Sequence, residues 1–216
     1  MKVYFMLIIV NKDNQSKYSK ELISMHQLRK KVFKDKLKWD VTIRNGMEFD
    51  QFDTPDACYL MHLNEKGDVD GSTRLIPTLK PYLLGDVFPE LLETEIVPKA
   101  ENVWEATRFC SNSESAPKDI MAILLAGMLE FALQENIKEY LSVSDIRMEP
   151  LFRRNGWPAQ RLGKVIDTGT DMAAGERLPV DYLTLRRVMS KCVSTPYTSV
   201  QNLHEVCKLT NLMKVA

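Results

Sequence analysis

Apolar positions recur at two periods along this chain, and the changes of period predict its elements. Met1 to Val10 (MKVYFMLIIV) is a short apolar run followed at once by the polar stretch NKDNQSKYSK. It carries one lysine and no small-residue cleavage site, so a first β-strand fits it better than a signal peptide. From Tyr18 to Lys36 the step lengthens to three and four residues, through Leu22, Met25, Leu28 and Val32-Phe33, which predicts an amphipathic helix. Lys38 to Pro55 has Gly46, Asp-containing turns and no clean period, and reads as a long loop carrying Trp39, Met47, Phe49 and Phe52. Cys58 to Leu63 and Val69 to Pro77 read as a hairpin turning at Glu65-Lys66-Gly67-Asp68.

Pro81 to Leu92 suggests a short helix ending before Glu93-Thr94-Glu95, and Val103 to Cys110 a further strand. Ser113 as a cap and Pro117 in the first turn then start a helix that runs to about Gln134, apolar on most faces and therefore buried against the sheet. Tyr140 to Ser144 reads as a short strand, Met148 to Asn155 as a short helix and Asp181 to Met189 as a late strand. Val200, Leu203, Val206, Leu209 and Leu212 predict a terminal helix over Ser199 to Met213. Strands alternating with helices, plus an antiparallel hairpin, argue for an α/β sandwich with a mixed sheet in a single domain over residues 1–216, with 190–216 a variable tail.

Composition narrows the classes. At 216 residues, 44% hydrophobic and 27% charged, the chain is ordinary for a soluble globular protein with one core. Its 29 basic residues balance 29 acidic ones and no DNA-binding motif is evident, so neither nucleic acid nor an anionic membrane is an expected partner. Cys58, Cys110, Cys192 and Cys207 form no CxxC pair, which fits reduced thiols better than a metal site or a disulfide framework. No segment reaches the ~18 apolar residues of a membrane span. A cytoplasmic protein without a bound metal, monomeric or weakly oligomeric, is the expectation.

Three clusters carry candidate chemistry. Arg29 and Phe33 lie one helical turn apart, with Trp39 just past the helix end. Glu48, Asp50 and Asp53 are interleaved with aromatics on the loop, and Arg74, Glu105 and Arg108 sit in strands. Glu105 and Arg108, three apart on a strand, should point to opposite faces. A half-buried carboxylate such as Glu105, amid Val103, Trp104, Ala106 and Phe109, needs partners or a task.

Taken in order, Arg29, Phe33, Trp39, Glu48, Asp50, Asp53, Arg74, Phe88, Glu105 and Arg108 resemble the signature positions of the LuxI-type acyl-homoserine-lactone synthases. The connecting text is similar too, notably Ser72-Thr73-Arg74-Leu75, Val87-Phe88-Pro89-Glu90-Leu91-Leu92 and Trp104-Glu105-Ala106-Thr107-Arg108-Phe109. The likeness spans roughly residues 20 to 165. It departs at Ala106-Thr107, where the family more often has a larger apolar residue and a serine; threonine keeps the hydroxyl.

The resemblance implies a three-layer αβα, N-acetyltransferase-like fold, with a cleft where strands splay to admit a thioester arm. It implies acyl transfer from an acyl carrier protein, or from acyl-coenzyme A in some members, to S-adenosylmethionine, here a substrate and not a cofactor. The product is a quorum-sensing acyl-homoserine lactone, released with methylthioadenosine. On this reading Glu105 is the candidate base, in catalysis with Asp50 and Arg108. Arg29, Phe33, Trp39, Asp50 and Asp53 are candidates for holding S-adenosylmethionine through a guanidinium fork, cation–π contact and carboxylates. Glu48 and Arg74 belong to a structural ion network, while Ser142, Ser144 and Phe88 line the acyl pocket. Arg147, Arg153, Arg154 and Lys164, with Arg161 nearby, are a docking patch for an acidic carrier or simply a solvated face. Two alternatives compete. A coenzyme A-dependent N-acetyltransferase is disfavoured because Cys110 to Ala116 holds no glycine for a phosphate cradle. A non-catalytic ligand-binding regulator is disfavoured by the intact charged set.

Overall fold

Eight strands join in one sheet and two more form a separate hairpin, in a computed structural model that describes residues 6–93, 96–193 and 199–203. In chain order the elements are β1 (Met6–Val10), α1 (Ser19–Arg29), β2 (Thr42–Arg44), β3 (Met47–Phe49), β4 (Cys58–Leu63), β5 (Val69–Pro77), α2 (Leu83–Asp86), β6 (Val103–Ser111), α3 (Ile120–Gln134), β7 (Glu139–Asp145), α4 (Met148–Arg154), β8 (Gln160–Arg161), β9 (Ile166–Asp167), β10 (Met172–Pro179) and α5 (Tyr182–Met189). The sheet runs β1-β4-β5-β6-β7-β10-β8, with β9 also on β10. Every pairing is antiparallel except β6 with β7.

Period-two alternation sorts the side chains into two layers. Leu7 and Ile9, Leu60, Leu75, Ala106, Tyr140 and Leu178 face α3, whose Leu124, Leu125, Met128 and Leu129 are buried against them. Ile8, Val10 and Met61 face α1 through Met25 and Leu28, and Ile76, Val103 and Leu141 face the segment around α2. Helices thus cover both faces of a mixed sheet, a three-layer αβα sandwich.

The β6–β7 pairing is short. It holds for Val103↔Glu139, Trp104↔Tyr140 and Glu105↔Leu141, and then stops, although both strands continue. The sheet is therefore splayed beyond Glu105, and that residue stands at the apex of the split.

Several elements differ from their sequence readings. The loop over Lys38–Pro55 contains the β2–β3 hairpin, turned by Asn45 (φ 50°) and Gly46 (φ 76°). Two successive positive φ angles are what an Asn-Gly pair supplies in a tight hairpin turn. The helix over Tyr18–Lys36 changes winding at Lys30 and continues as a π-helix to Lys36, closed by the Leu37 N–H on the Val32 carbonyl. α3 starts at Ile120, not at the Ser113–Pro117 cap, and its flanking Asp119 makes no side-chain capping bond. The strand expected over Asp181–Met189 is α5: Asp181 accepts from Thr184 N–H and caps a helix that buries Thr184 and Val188. The strand is the preceding β10, which alternation did not reveal. The terminal helix over Ser199–Met213 and the start of the first strand lie largely outside the described residues.

Candidate active site

α1, the β3 end and the β5–β6 pair bring three guanidiniums onto three carboxylates. Arg29 forks onto Asp53 at 2.7 and 2.8 Å and gives its Nε to Glu48. Arg74 forks onto both oxygens of Asp50, reaches Asp53 at 2.9 Å and donates Nε to the Thr107 hydroxyl at 3.1 Å. Arg108 bridges Glu48 at 3.1 Å and Asp50 at 2.7 Å. Tyr59 adds a hydroxyl to Asp53 at 2.9 Å. Arg29, Arg74 and Glu48 are fully buried, a tolerable state because the charges balance and the donors are shared.

Electrostatics follows from that packing. Burial drives the Asp53 carboxyl up, but the hydrogen bonds and charge of Arg29, with Arg74 beside it, outweigh burial and hold it below the ordinary carboxylate range. Asp50 is lowered in the same way, burial being overcome by Arg74 and Arg108. Each carboxylate stays ionised because a fork holds it so.

Arg108 reaches this network through an irregularity of the strand. Ser72 pairs with Cys110 but Arg74 with Thr107, so β6 carries one extra residue there, and Arg108 has φ 53°. This β-bulge interrupts the alternation. Strict alternation would turn Arg108 away from Glu105; the bulge instead brings it to the face of Thr107, Arg74 and Glu105.

Glu105 is not an ion-pair member. Its oxygens accept from the backbone N–H groups of Leu83 (2.8 Å) and Leu84 (2.7 Å), so the carboxyl caps the start of α2. Fully buried, it is pushed up to about 7 by desolvation, partly opposed by those two bonds. A carboxyl near neutrality at the apex of a split sheet is suited to take and release a proton.

The π-helical turn sets the aromatics. Trp39 N–H bonds the Phe33 carbonyl, and the two rings stack at 5.0 Å and 10°. The Arg108 guanidinium lies 5.5 Å over the Phe33 ring, and Trp39 Nε1 donates to Asp171 at 2.6 Å. Phe33 is buried and Trp39 partly exposed.

The acyl-pocket candidates do not share a face. Phe88 packs in the cluster with Leu141 and Val143, whereas Ser142 and Ser144 alternate with those two and face the other way. In the basic stretch, Arg147 is held by Asp145 and Asp171, and Arg153 and Arg161 by Glu149. Arg154 and Lys164 are exposed. A cavity of about 220 Å³ adjoins the network through Asp53, Tyr59 and His26, and reaches neither Glu105 nor Trp39. Spacing alone did not bring forward Tyr59, Asp171 or Glu176, because each acquires its partner only in the folded chain. Among the described residues no group of three or more His, Cys, Asp or Glu could hold a metal ion, and no helix is long and apolar enough to cross a membrane.

Comparison with known proteins identifies the fold and the family. The model of the family described as "Autoinducer synthase" matches residues 13–188. An acyl-homoserine-lactone synthase of Agrobacterium fabrum (strain C58 / ATCC 33970) is 32% identical over 189 residues, 84% of this chain and 90% of that protein. In fold, the chain is similar to BjaI, a CoA-dependent acyl-homoserine lactone synthase solved with SAM and isopentyl-CoA, with a TM-score of 0.83 at 23% identity over 91% of this chain and 93% of that one. A putative N-acetyltransferase from Lactobacillus plantarum shares the fold at a TM-score of 0.56 and 14% identity, over 82% of this chain and 99% of that one. The match along most of the chain, at this identity to a synthase, means that the chain belongs to the autoinducer synthases, enzymes that make acyl-homoserine lactones.

Proposed function

We propose that Glu105 is the base that starts acyl transfer to S-adenosylmethionine in this chain. It takes a proton from the substrate ammonium, directly or through one water. The freed amine attacks the thioester carbonyl, the C–S bond breaks and the carrier leaves as a thiol, taking the proton that the nitrogen loses as it becomes an amide. The carboxylate of the acylated S-adenosylmethionine then attacks the methylene beside the sulfonium. That carbon–sulfur bond breaks, the lactone closes and methylthioadenosine departs. The supporting observation is the buried Glu105 carboxyl, pushed up to about 7, at the apex where β6 and β7 part. Its two oxygens already accept backbone N–H groups, so the proton goes to a remaining lone pair.

The residue roles follow from what each side chain has left to offer. Arg29 has its three donor nitrogens on Glu48 and Asp53. Its role is therefore to position the loop, not to fork onto the substrate carboxylate. Asp50 is the most exposed of the three network carboxylates, at 16% against 6% for Asp53 and 0% for Glu48. Arg74 and Arg108 hold both its oxygens, but it keeps the most open surface of the three. It is the one fitted to meet the ammonium, at a remaining lone pair. Trp39 offers its outer face to the adenine or the sulfonium, because its inner face is on Phe33. S-adenosylmethionine is consumed, so it is a substrate and not a cofactor. The free thiols of Cys110 and Cys192 suit the cytoplasm, where the thioesters are made.

An acyl carrier protein is the favoured donor, docking on Arg154 and Lys164, with Arg147, Arg153 and Arg161 contributing less because acidic neighbours already hold them. Acyl-coenzyme A is the second reading, supported by the fold likeness to a CoA-dependent synthase. The test is to incubate the protein with S-adenosylmethionine and matched carrier-protein and coenzyme A thioesters, following methylthioadenosine and the lactone by mass spectrometry. Both products are expected, and both should be lost in Glu105→Ala. Efficiency with the carrier protein should fall steeply with salt. Thiol release without methylthioadenosine would overturn the synthase reading for this chain.

A further inference from the structure

The α4 side of the split sheet holds a carboxyl that no part of the reaction above uses. β7 and β10 pair so that Glu176 stands opposite Ser142 and Ala174 opposite Ser144. Tyr140 and Leu178, which continue the same face, are in the core under α3. The four residues at this spot are therefore three small side chains and one glutamate, beneath the helix α4 that packs on β7. β6 leaves β7 after Glu105↔Leu141, so the β7 edge past Leu141 lines the split.

Glu176 is fully buried. Ser144 donates its hydroxyl to Oε1 at 2.8 Å, while Oε2 is buried without a hydrogen-bond partner. The cation best placed to pair with it does not: Arg161 stands opposite Glu176 in the β8–β10 register, but its guanidinium is on Glu149. Desolvation, aided by the Glu149 and Asp145 charges and opposed by the Ser144 bond and Arg161, pushes Glu176 up to about 8. The group is then mainly a neutral acid at cytoplasmic pH, with Ser144 on one oxygen and a hydroxyl donor left on the other. A buried donor with nothing to bond costs about 1–3 kcal/mol; the residues around it are small, and a ligand oxygen reaching Oε2 would remove that cost.

We propose that Glu176 is a specificity residue for the acyl donor, its free carboxyl oxygen hydrogen-bonding an oxygen at C3 of the acyl chain, as in a 3-oxo or 3-hydroxy thioester. This rests on the acyl-thioester reading above. The carbonyl under attack sits at the split beside Glu105, and C3 lies two bonds further along the chain. Glu176 lies one strand beyond that apex, opposite the first β7 residue past it. An unsubstituted chain leaves the carboxyl unsatisfied, so the site discriminates against it.

The test compares 3-oxo, 3-hydroxy and plain acyl-coenzyme A donors of one chain length in wild type, Glu176→Leu and Glu176→Gln. Turnover is read by methylthioadenosine release and donor affinity by calorimetry without S-adenosylmethionine. Wild type should favour the 3-oxygenated donors in both readouts. Glu176→Leu should reduce that preference by about tenfold or more, the loss of one buried hydrogen bond, while melting no lower than wild type. Glu176→Gln, whose amide still donates, should keep most of it. An equal preference in wild type and Glu176→Leu, or no preference in wild type, overturns the proposal. A wild type that releases no methylthioadenosine sinks the synthase reading instead, and the affinity series still reports on Glu176.

Discussion

Glu48 is as buried as Glu105 and Glu176, yet the fold treats the carboxylates of its cluster and those two lone ones in opposite ways. In the cluster of Glu48, Asp50 and Asp53, three guanidiniums supply forked bonds, and Asp50 and Asp53 are held ionised. Glu105 has two backbone N–H groups and Glu176 one hydroxyl, and for both, burial wins and raises the carboxyl, to about 7 and about 8. All four are carboxyls drawn largely out of water; the partners differ. A buried acid stays charged only where cations are fixed beside it, and otherwise becomes a group that titrates in the working range. Apart from Asp50, the cluster thus has the character of scaffold, and the lone carboxyls that of chemistry and recognition.

The largest effect expected from breaking this contrast is at Glu105. Glu105→Gln keeps the volume but cannot take the proton, and kcat/KM should drop by about 10²–10⁴-fold, measured as lactone formation. A fall of less than tenfold would remove Glu105 from the base role. In the cluster the loss should appear in stability instead. Arg74→Met strands Asp50 and Asp53 without their shared fork and should cost about 3–5 kcal/mol in denaturant unfolding.

The pH dependence of stability sharpens the same comparison, because the two groups act with opposite sign. The folded pKa of Glu105 lies above its unfolded value of 4.5, so its contribution is full below that pH and is lost as pH rises toward about 7. The slope is at most about 1.4 kcal/mol per pH unit for each such group. Glu176 behaves alike, with loss continuing to about 8. Asp50 and Asp53, lowered from 3.8, contribute above that value and lose their contribution on acidification. Unfolding titrations of a Glu105→Gln/Glu176→Gln double variant should therefore lose the limb between about 4.5 and 8 and keep the acid limb. An unchanged profile would contradict the assignment of the limb to these two acids. The smallest effect is expected of Trp39→Phe, which keeps the stack on Phe33 and loses the bond to Asp171. About 1 kcal/mol of stability and a KM for S-adenosylmethionine raised by a few-fold are expected, with kcat little changed.

Much of this was legible along the chain. The β4–β5 hairpin carries its alternation and its turn residues openly, and the apolar run of α3 has nowhere to go but the core. The segment DYLTLRRVM misled because nine residues with Tyr182, Leu183 and Leu185 satisfy either period, and the deciding signal was the Asp181 cap. The β2–β3 hairpin hid in strands of three residues, although Asn45-Gly46 announced its turn. The ten signature positions could be found in order, but not who pairs with whom.

Residue identity and spacing determined the fold class, the family, the charge balance and the set of charged and aromatic groups available. Tertiary structure alone decided that Arg29 is consumed by Glu48 and Asp53, that a bulge at φ 53° turns Arg108 onto the face of Glu105, and that Glu176 is left with an unmatched oxygen. The physical reason is that periodicity is a local property of the backbone. Desolvation and ion pairing are set by groups 60 residues apart, as with Arg108 and Glu48, which meet only when the sheet closes over them.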